Sequence, residues 1–392
     1  MRQTPRLRAV FAGLLVLLLA APAGAWSFKE HMLFTRLAAQ RILADEEAPQ
    51  GLKDFLREAI PDVGTIDDAR AMTVDTWIGP KADGVEGLLY WSIYPDMDRR
   101  EAVPQFDTVE APMHFIDLEF VNEDPARQRY ADDGSNKPDP DAIPRDWTDE
   151  RYKQAGYLPF RVEQCYGDLV KSFRDGKLMP AGEDDRDNAL VWAGYLAHYL
   201  HDNTQPHHST IDYRSASYFG GEGRTPDVHG MMEWRFIDDE ELAYPELRET
   251  YWRELQASLG NLPAAGGAVR FGDPYESTLR ISLNSYDALP LIGRAAMAAT
   301  GQAGTPGKPE GQPANPDGDL EAFANFRGDP GEGIRRLQMQ LGREVGETSI
   351  VELKAMLGAA AVFRTELALR QAWQDAHGDA PATRAAPDDM MP

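Results

Sequence analysis

Apolar residues recur along this chain at helical spacing, with little of the strict alternation that marks strands. Phe28, Met32, Leu33, Leu37, Ala38 and Ile42 form one stripe over residues 28–43, and Ser27 followed by Glu30 supplies a capping box at its start. Residues 52–60 predict a short helix and 68–77 another. Phe160, Cys165, Leu169, Val170 and Phe173 share a face of a helix over 157–173, which assigns Cys165 to packing. Leu190, Trp192, Ala193, Leu196, Ala197 and Leu200 predict a further helix that Pro206 cannot continue. Pro290 kinks or breaks a helix within 275–300. Ser349 with Glu352 opens a long one through Leu353, Met356, Leu357, Phe363, Leu367 and Trp373. Between these elements, 123–149 is polar and rich in Asp and Pro, as exposed loops are, and 301–319 is dense in Gly and Pro, as flexible insertions are. The pattern contains no internal repeat. It predicts an all-α, multi-helix fold in one main domain over 26–378, with long surface loops and a disordered tail over 379–392.

The first 25 residues depart from this pattern. Arg2, Arg6 and Arg8 precede a nearly unbroken apolar run over 10–21, and Ala23-Gly24-Ala25 supplies a small-residue cleavage site. Residues 1–25 therefore read as a signal peptide cut before Trp26. The apolar run is shorter than a bilayer span, and no later segment qualifies as one. The expectation is a secreted or periplasmic protein without an integral membrane segment after cleavage. The 392-residue chain has 40 basic and 64 acidic residues, a net charge of −24. Losing the three leader arginines leaves 37 basic residues against 64 acidic, a net of −27. Such a surface discourages nonspecific binding to duplex nucleic acid or anionic membrane. It does not forbid a local anion site, because bound metal ions invert the local field. Cys165 is the only cysteine, so neither an intrachain disulfide nor a thiolate zinc site can form. Any metal must be held by His, Asp, Glu or backbone atoms. No protein partner is evident.

The histidines change the picture most. His198 and Asp202 stand four apart, on one helix face, and His208 follows in the turn made by Pro206. An imidazole, a carboxylate and a second imidazole within eleven residues make a metal-ligand pattern. An isolated pair of this kind is more often a surface hydrogen bond, but His229 and Glu233 repeat the spacing on a second predicted helix. His114 lies between apolar neighbours in APMHFIDLEF. His31 takes the fourth position of the first helix, and Trp26 stands just outside its cap, so a hydrophobic staple is expected to join them. Cleavage before Trp26 creates an α-amine, of unperturbed pKa about 8, that can lose its proton to a metal. Of eight histidines, five fall into this scheme; His201, His207 and His377 are left over.

In this order the residues resemble the superfamily of zinc-dependent phospholipases C and secreted single-strand-specific nucleases, which share an all-helical fold and a trinuclear zinc centre. The hallmarks are a mature N-terminal Trp, an early His, an Asp followed by a His, a central H-x-x-x-D-x-x-Q-P-x-H and a final H-x-x-x-D/E. They correspond here to Trp26, His31, an Asp with His114, His198-Asp202-Gln205-Pro206-His208, and His229-Glu233. The resemblance implies three Zn2+ ions. The first takes an Asp, His114, His198 and Asp202; the second takes His208, His229 and Glu233. The third takes the amine and carbonyl oxygen of Trp26 with His31, Asp202 acting as a bridge. Tyr94-Pro95-Asp96 matches the family's context for the first-site Asp, whereas Asp98 has the better spacing. Asp96 is taken as the ligand, with Asp98 and then Asp75 in reserve, which makes Asp96 and Asp202 the carboxylates on which catalysis depends.

Elementary chemistry agrees. Nitrogen and oxygen donors without thiolate suit zinc, and they also admit manganese or iron. Clustered divalent ions acidify a bound water, neutralise a phosphodiester and stabilise the departing oxygen. The expected activity is phospholipase C-like hydrolysis of a phospholipid phosphate ester by metal-bound hydroxide. The alternatives are a single-strand-specific nuclease or 3'-nucleotidase acting on single-stranded nucleic acid, and a metal-binding non-enzyme. Glu233, where the nucleases usually carry Asp, and the string HYLHDNTQPHH lean toward phospholipase C. The four residues between Trp26 and His31 match the nucleases instead. A base-stacking aromatic pocket beside the metals would mark a nuclease, and an apolar rim would mark a lipase.

Overall fold

A computed structural model of the chain describes residues 26–60, 87–182, 185–220, 225–233, 235, 244–263, 269–310 and 313–378. The expected leader over 1–25, the expected helix over 68–77 with Asp75, and the tail over 379–392 lie outside the described residues.

The N-cap expected at Ser27 is present: its hydroxyl accepts from the Glu30 amide at 3.1 Å and starts helix α1 (Phe28–Ala44). The rest of that expectation is corrected. Glu30 turns into the core, where its carboxylate meets Lys354 Nζ at 2.7 Å and accepts from Tyr251 Oη at 3.1 Å. The indole of Trp26 packs edge-on against Phe34, ring centres 5.4 Å apart, so its stacking partner lies a further turn along α1 than His31. Helix α2 (Gln50–Ala59) follows, and two single turns, α3 (Leu88–Trp91) and α4 (Tyr94–Met97), come next. Helix α5 (Leu158–Arg174) matches its apolar stripe, with Cys165 fully buried. Helix α6 (Ala189–Asp202) is capped by Asn188, whose side chain accepts from the Val191 amide at 3.2 Å.

Helix α7 (Val228–Met232) is short, and α8 (Pro245–Gly260) is longer. The predicted helix over 275–300 is broken into α9 (Pro274–Tyr286) and α10 (Leu289–Ala299). Pro290 sits in the first turn of α10, where its missing N–H has no partner to lose, so the break falls just before it. Helix α11 (Ile350–His377) opens with the full capping box: Ser349 Oγ accepts from the Glu352 amide and the Glu352 carboxylate accepts from the Ser349 amide.

Strand among the described residues is confined to three two-stranded antiparallel ladders: 102–103 with 108–109, 303–305 with 308–310, and 327–328 with 348–349. The second falls inside the expected flexible insertion over 301–319. It turns at Pro306-Gly307, with Gly307 at φ +77°, a pairing suited to a tight turn. The protein is mostly helical, as its periodicity predicts. No described helix is long and apolar enough to cross a membrane.

Helix α11 is the central support. From Ile350 to Arg370 every residue but Glu352 is buried, with α1, α5, α6 and α8 packed around it. A helix enclosed on all sides must satisfy each polar group internally. Glu366 does so with Arg41 at 2.6 Å and Arg370 at 2.9 Å, and Arg370 also reaches Asp45 at 2.8 Å. Helix α6 crosses α3 at Gly194, where an added Cβ would run into Trp91 and the backbone of Ser92. That close approach brings the α3–α4 turns against the helix bearing His198 and Asp202. Gly194→Val is expected to force them apart and to cost about 1–3 kcal/mol, the usual range for overpacking. Urea unfolding of the variant with stability unchanged would show that the crossing is not tight.

Candidate metal centre

Helix α6 ends at Asp202 because Pro206 follows four residues on. The chain turns back through Pro206–Ser209, with the Gln205 side chain accepting from the His207 amide at 2.7 Å. This reversal aims His208 at the segment that carries His114. The two stretches are laced together: the Ile116 amide donates to the His208 carbonyl at 2.9 Å, and His208 Nδ1 donates to the His114 carbonyl at 2.6 Å. Helix α1 contributes His31, α4 contributes Asp96, and α7 contributes His229 with Glu233 at its C-terminal end.

Their side chains form three groups, the first two sharing His198: His31 with Asp96 and His198, His114 with His198 and Asp202, and His208 with His229 and Glu233. Zinc–ligand bonds of about 2.0–2.1 Å in a tetrahedron place neighbouring donors about 3.3 Å apart. His114 Nδ1 lies 2.9 Å from Asp202 Oδ2, His198 Nε2 lies 3.3 Å from the same oxygen, and the two nitrogens are 3.1 Å apart. The other Asp202 oxygen, Oδ1, stands 3.4 Å from His31 Nε2, so this carboxylate faces two groups at once. Asp96 spans them as well, with Oδ2 3.8 Å from His31 Nε2 and Oδ1 3.7 Å from His114 Nδ1. In the third group Glu233 contacts His229 directly, lies 3.7 Å from His208 Nε2 and accepts from Gln205 Nε2 at 2.9 Å.

The far nitrogens of His198, His208 and His229 are committed to backbone carbonyls, whereas that of His114, Nε2, is buried without a partner among the described residues. His198 Nδ1 donates to the Ser92 carbonyl at 2.9 Å, and His229 Nδ1 donates to that of Tyr213 at 3.2 Å. Because carbonyls only accept, His198, His208 and His229 each turn a bare Nε2 into the site. Against this, His31 Nε2, both oxygens of Asp96 and Asp202 Oδ1 are buried and hydrogen-bond to nothing. Orphaned acceptors are rare inside proteins. Several converging on one place are what cation ligands without their cation look like, so the donor set fits a cluster of divalent ions.

Electrostatics point the same way. Burial holds His31, His114 and His208 well below the ordinary imidazole range and also lowers His198, which keeps them neutral as ligands. Burial pushes Asp202 well above the usual carboxylate range, Asp96 up to about 6 and Glu233 up to about 8. His229 and the hydrogen bond from Gln205 oppose the rise at Glu233 without cancelling it.

All five histidines singled out by their spacing meet here. Asp96 reaches the cluster, while Asp98 faces solvent; Asp75 is outside the described residues. Trp26 is buried beside the site, its Nε1 donating to the His201 carbonyl at 2.8 Å. Two buried histidines were passed over. His207 stacks on His229 with ring centres 5.4 Å apart, and His201 Nδ1 lies 3.1 Å from His31 Nδ1. Their adjacency to His208 and Asp202 was the available signal. Lys354 was also missed, because a lysine in a long helix reads as surface. Its Nζ pairs with Glu30 and donates to the carbonyls of Met232 and Glu233 at 2.7 and 2.8 Å, tying α1 to the end of α7.

Set against known proteins, the chain matches no family model, no curated protein and no solved structure.

The raised carboxyls have a measurable consequence. Above the ordinary histidine pKa of about 6.5, imidazoles are neutral in folded and unfolded chains alike, and the groups that still change protonation on unfolding are the buried acids and the Cys165 thiol, which burial pushes up to about 12. Glu233 and Asp202 bind protons more tightly when folded than when unfolded. Their stabilising contribution is therefore full below the unfolded value and is lost as pH rises, for Glu233 through about 8. The unfolding temperature of chelated protein is expected to fall more steeply between about pH 7 and about pH 8.5 than that of zinc-loaded protein, in which the site carboxylates are already neutralised by cations and only groups away from the site, such as Asp117 and Cys165, still contribute. Identical pH dependence in the two forms would contradict this account.

Proposed function

We propose that this chain is a secreted, zinc-dependent phosphoric ester hydrolase of the phospholipase C-like kind, within the helical phospholipase C and nuclease superfamily. The observation that carries the reading is the convergence of His31, Asp96, His114, His198, Asp202, His208, His229 and Glu233, from five separate stretches of chain, into three buried ligand groups. Three divalent ions bound there supply an acidified water and positive charge for the phosphate. Asp202 holds two of the groups together through its two oxygens. An α-amine freed at Trp26 would join His31 in holding the third ion. Asp96, beside the partly exposed Arg99 whose Nη1 lies 3.9 Å away, marks the side where an ester enters. The Arg99 guanidinium suits a phosphate oxygen.

A phospholipid is favoured over nucleic acid as substrate. Of the seven exposed large apolar side chains among the described residues, three adjoin the ligands. Phe28 stands three residues before His31, Met97 follows Asp96, and Tyr213 lies edge-on to His229 at 6.0 Å. The net charge of −24 also disfavours a long polyanion. Tyr213, a half-exposed aromatic ring able to stack a base, and the four residues between Trp26 and His31 support the nuclease reading.

The deciding assay offers zinc-loaded protein beginning at Trp26 both phosphatidylcholine vesicles and single-stranded DNA. Release of phosphocholine is expected, and Asp202→Asn should reduce it by more than the roughly 10–100-fold that loss of an outer-shell partner costs. Cleavage of the DNA alone would establish the nuclease reading. Firm metal binding with both substrates intact would make the chain a non-enzymatic metal binder.

A further inference from the structure

The directions of the hydrogen bonds around His201 can be worked out from their far end. Thr365 Oγ1 stands 2.9 Å from the Ala361 carbonyl oxygen, one turn back along α11. A carbonyl only accepts, so the single hydroxyl proton is committed there and the hydroxyl oxygen is left as an acceptor. His201 Nε2 lies 3.1 Å from that oxygen and must therefore donate to it. His201 is fully buried, and among the described residues no carboxylate pairs with it, so its ring is neutral and carries one N–H only. With that proton on Nε2, its Nδ1 is bare.

The next contact follows. His201 Nδ1 and His31 Nδ1 are 3.1 Å apart, and two bare nitrogens would repel. The proton between them has to come from His31. His31 is then left with a bare Nε2, the atom 3.4 Å from Asp202 Oδ1 and 3.8 Å from Asp96 Oδ2 that has no hydrogen-bond partner. His198, His208 and His229 have backbone carbonyls to fix their tautomers, whereas at His31 a second imidazole takes that place. The His201 ring is itself wedged, tilted against His31 at 5.3 Å and edge-on to Phe34 at 5.5 Å.

We propose that His201, oriented by Thr365, is a positioning residue that holds His31 as its Nδ1–H tautomer and turns a bare Nε2 toward Asp96 and Asp202. The chain Thr365–His201–His31 thereby links α11, through α6, to a ligand on α1. The role rests on the reading of His31 as a metal ligand, but the tautomer does not, and the two can fail separately.

The test uses 15N-labelled, metal-free protein, in which imidazole nitrogen shifts report the tautomer directly, followed by titration with zinc. Wild type is expected to show His31 protonated on Nδ1. His201→Leu removes the acceptor and should shift His31 to a mixture or to the other tautomer, weakening one zinc equivalent by roughly 10–100-fold. His201→Asn, whose Oδ1 takes the place of the ring Nδ1, should restore both properties. Thr365→Val is nearly isosteric and removes only the far end of the chain. It should act in the same direction as His201→Leu, with Thr365→Ser behaving as wild type, and this pair decides the matter if His201→Leu does not fold. An Nδ1–H His31 that persists in His201→Leu or Thr365→Val overturns the proposal, as does a His201→Asn variant as weak as His201→Leu. A correct tautomer in a protein that hydrolyses no phosphate ester would sink the proposed activity and leave the positioning role standing.

Discussion

A carboxylate taken out of water among imidazoles must find a positive charge or take up a proton. Asp202 is fully buried and close to His31, His114 and His198, all of them neutral because burial disfavours the imidazolium. No arginine or lysine among the described residues forms an ion pair with it; Arg99 lies 3.9 Å from the neighbouring Asp96 instead. The remaining ways to compensate this carboxylate are a proton or a cation. The arrangement makes sense as a device for concentrating uncompensated donors, whose electrostatic cost disappears when divalent ions arrive.

The scaffold around the cluster is pinned by buried polar contacts. Helix α11 carries Lys354, Arg364, Thr365 and Glu366 in positions closed to solvent, and each is matched by an acceptor or donor on a segment that leads to a ligand. Lys354 holds the carbonyl of Glu233, Arg364 bonds the Asn203 side chain next to Asp202, and Thr365 reaches His201. A buried lysine has three protons to place. At Lys354 they meet one carboxylate and two carbonyls, so the charge is accommodated and the end of α7 is fixed. The long helix is thus less a partner in packing than a frame to which the ligand-bearing segments are pinned.

The periodic features of this fold were legible. Helices α1, α5, α6 and α11 begin and end within a residue or two of their apolar stripes and caps, apart from the C-terminal reach of α11, which extends past Trp373 to His377. The five clustered histidines were legible as well, because i, i+4 pairs and a proline-broken helix impose geometry on their own. Partners chosen across the fold were not. Glu30 has the spacing of a capping box, yet it pairs with Lys354, 324 positions away, because the enclosed lysine needs a counter-charge more than the helix start needs a second cap. Trp26 likewise takes Phe34 rather than the nearer imidazole, whose ring is stacked on His198 at 4.1 Å and in contact with His201. The hairpin at 303–310 escaped because Gly and Pro mark a tight turn and a loose loop alike.

The outer partners also explain how so many histidines can be assembled without pairing with one another at random. A neutral imidazole has one proton and two nitrogens, and a cluster in which tautomers were free would populate many arrangements with donors facing donors. Each site histidine with a resolved far nitrogen gives that proton to an acceptor that cannot return one: the carbonyls of Ser92, His114 and Tyr213. His31 lies inside a helix whose nearby carbonyls are already bonded, its own accepting from Thr35 Oγ1 at 2.9 Å. A bare nitrogen on a neighbouring helix does the same work there, provided something further out fixes it. The tautomers of His31, His198, His208 and His229 are in this sense set from the backbone outward, and much of the order needed to receive cations exists before any cation binds.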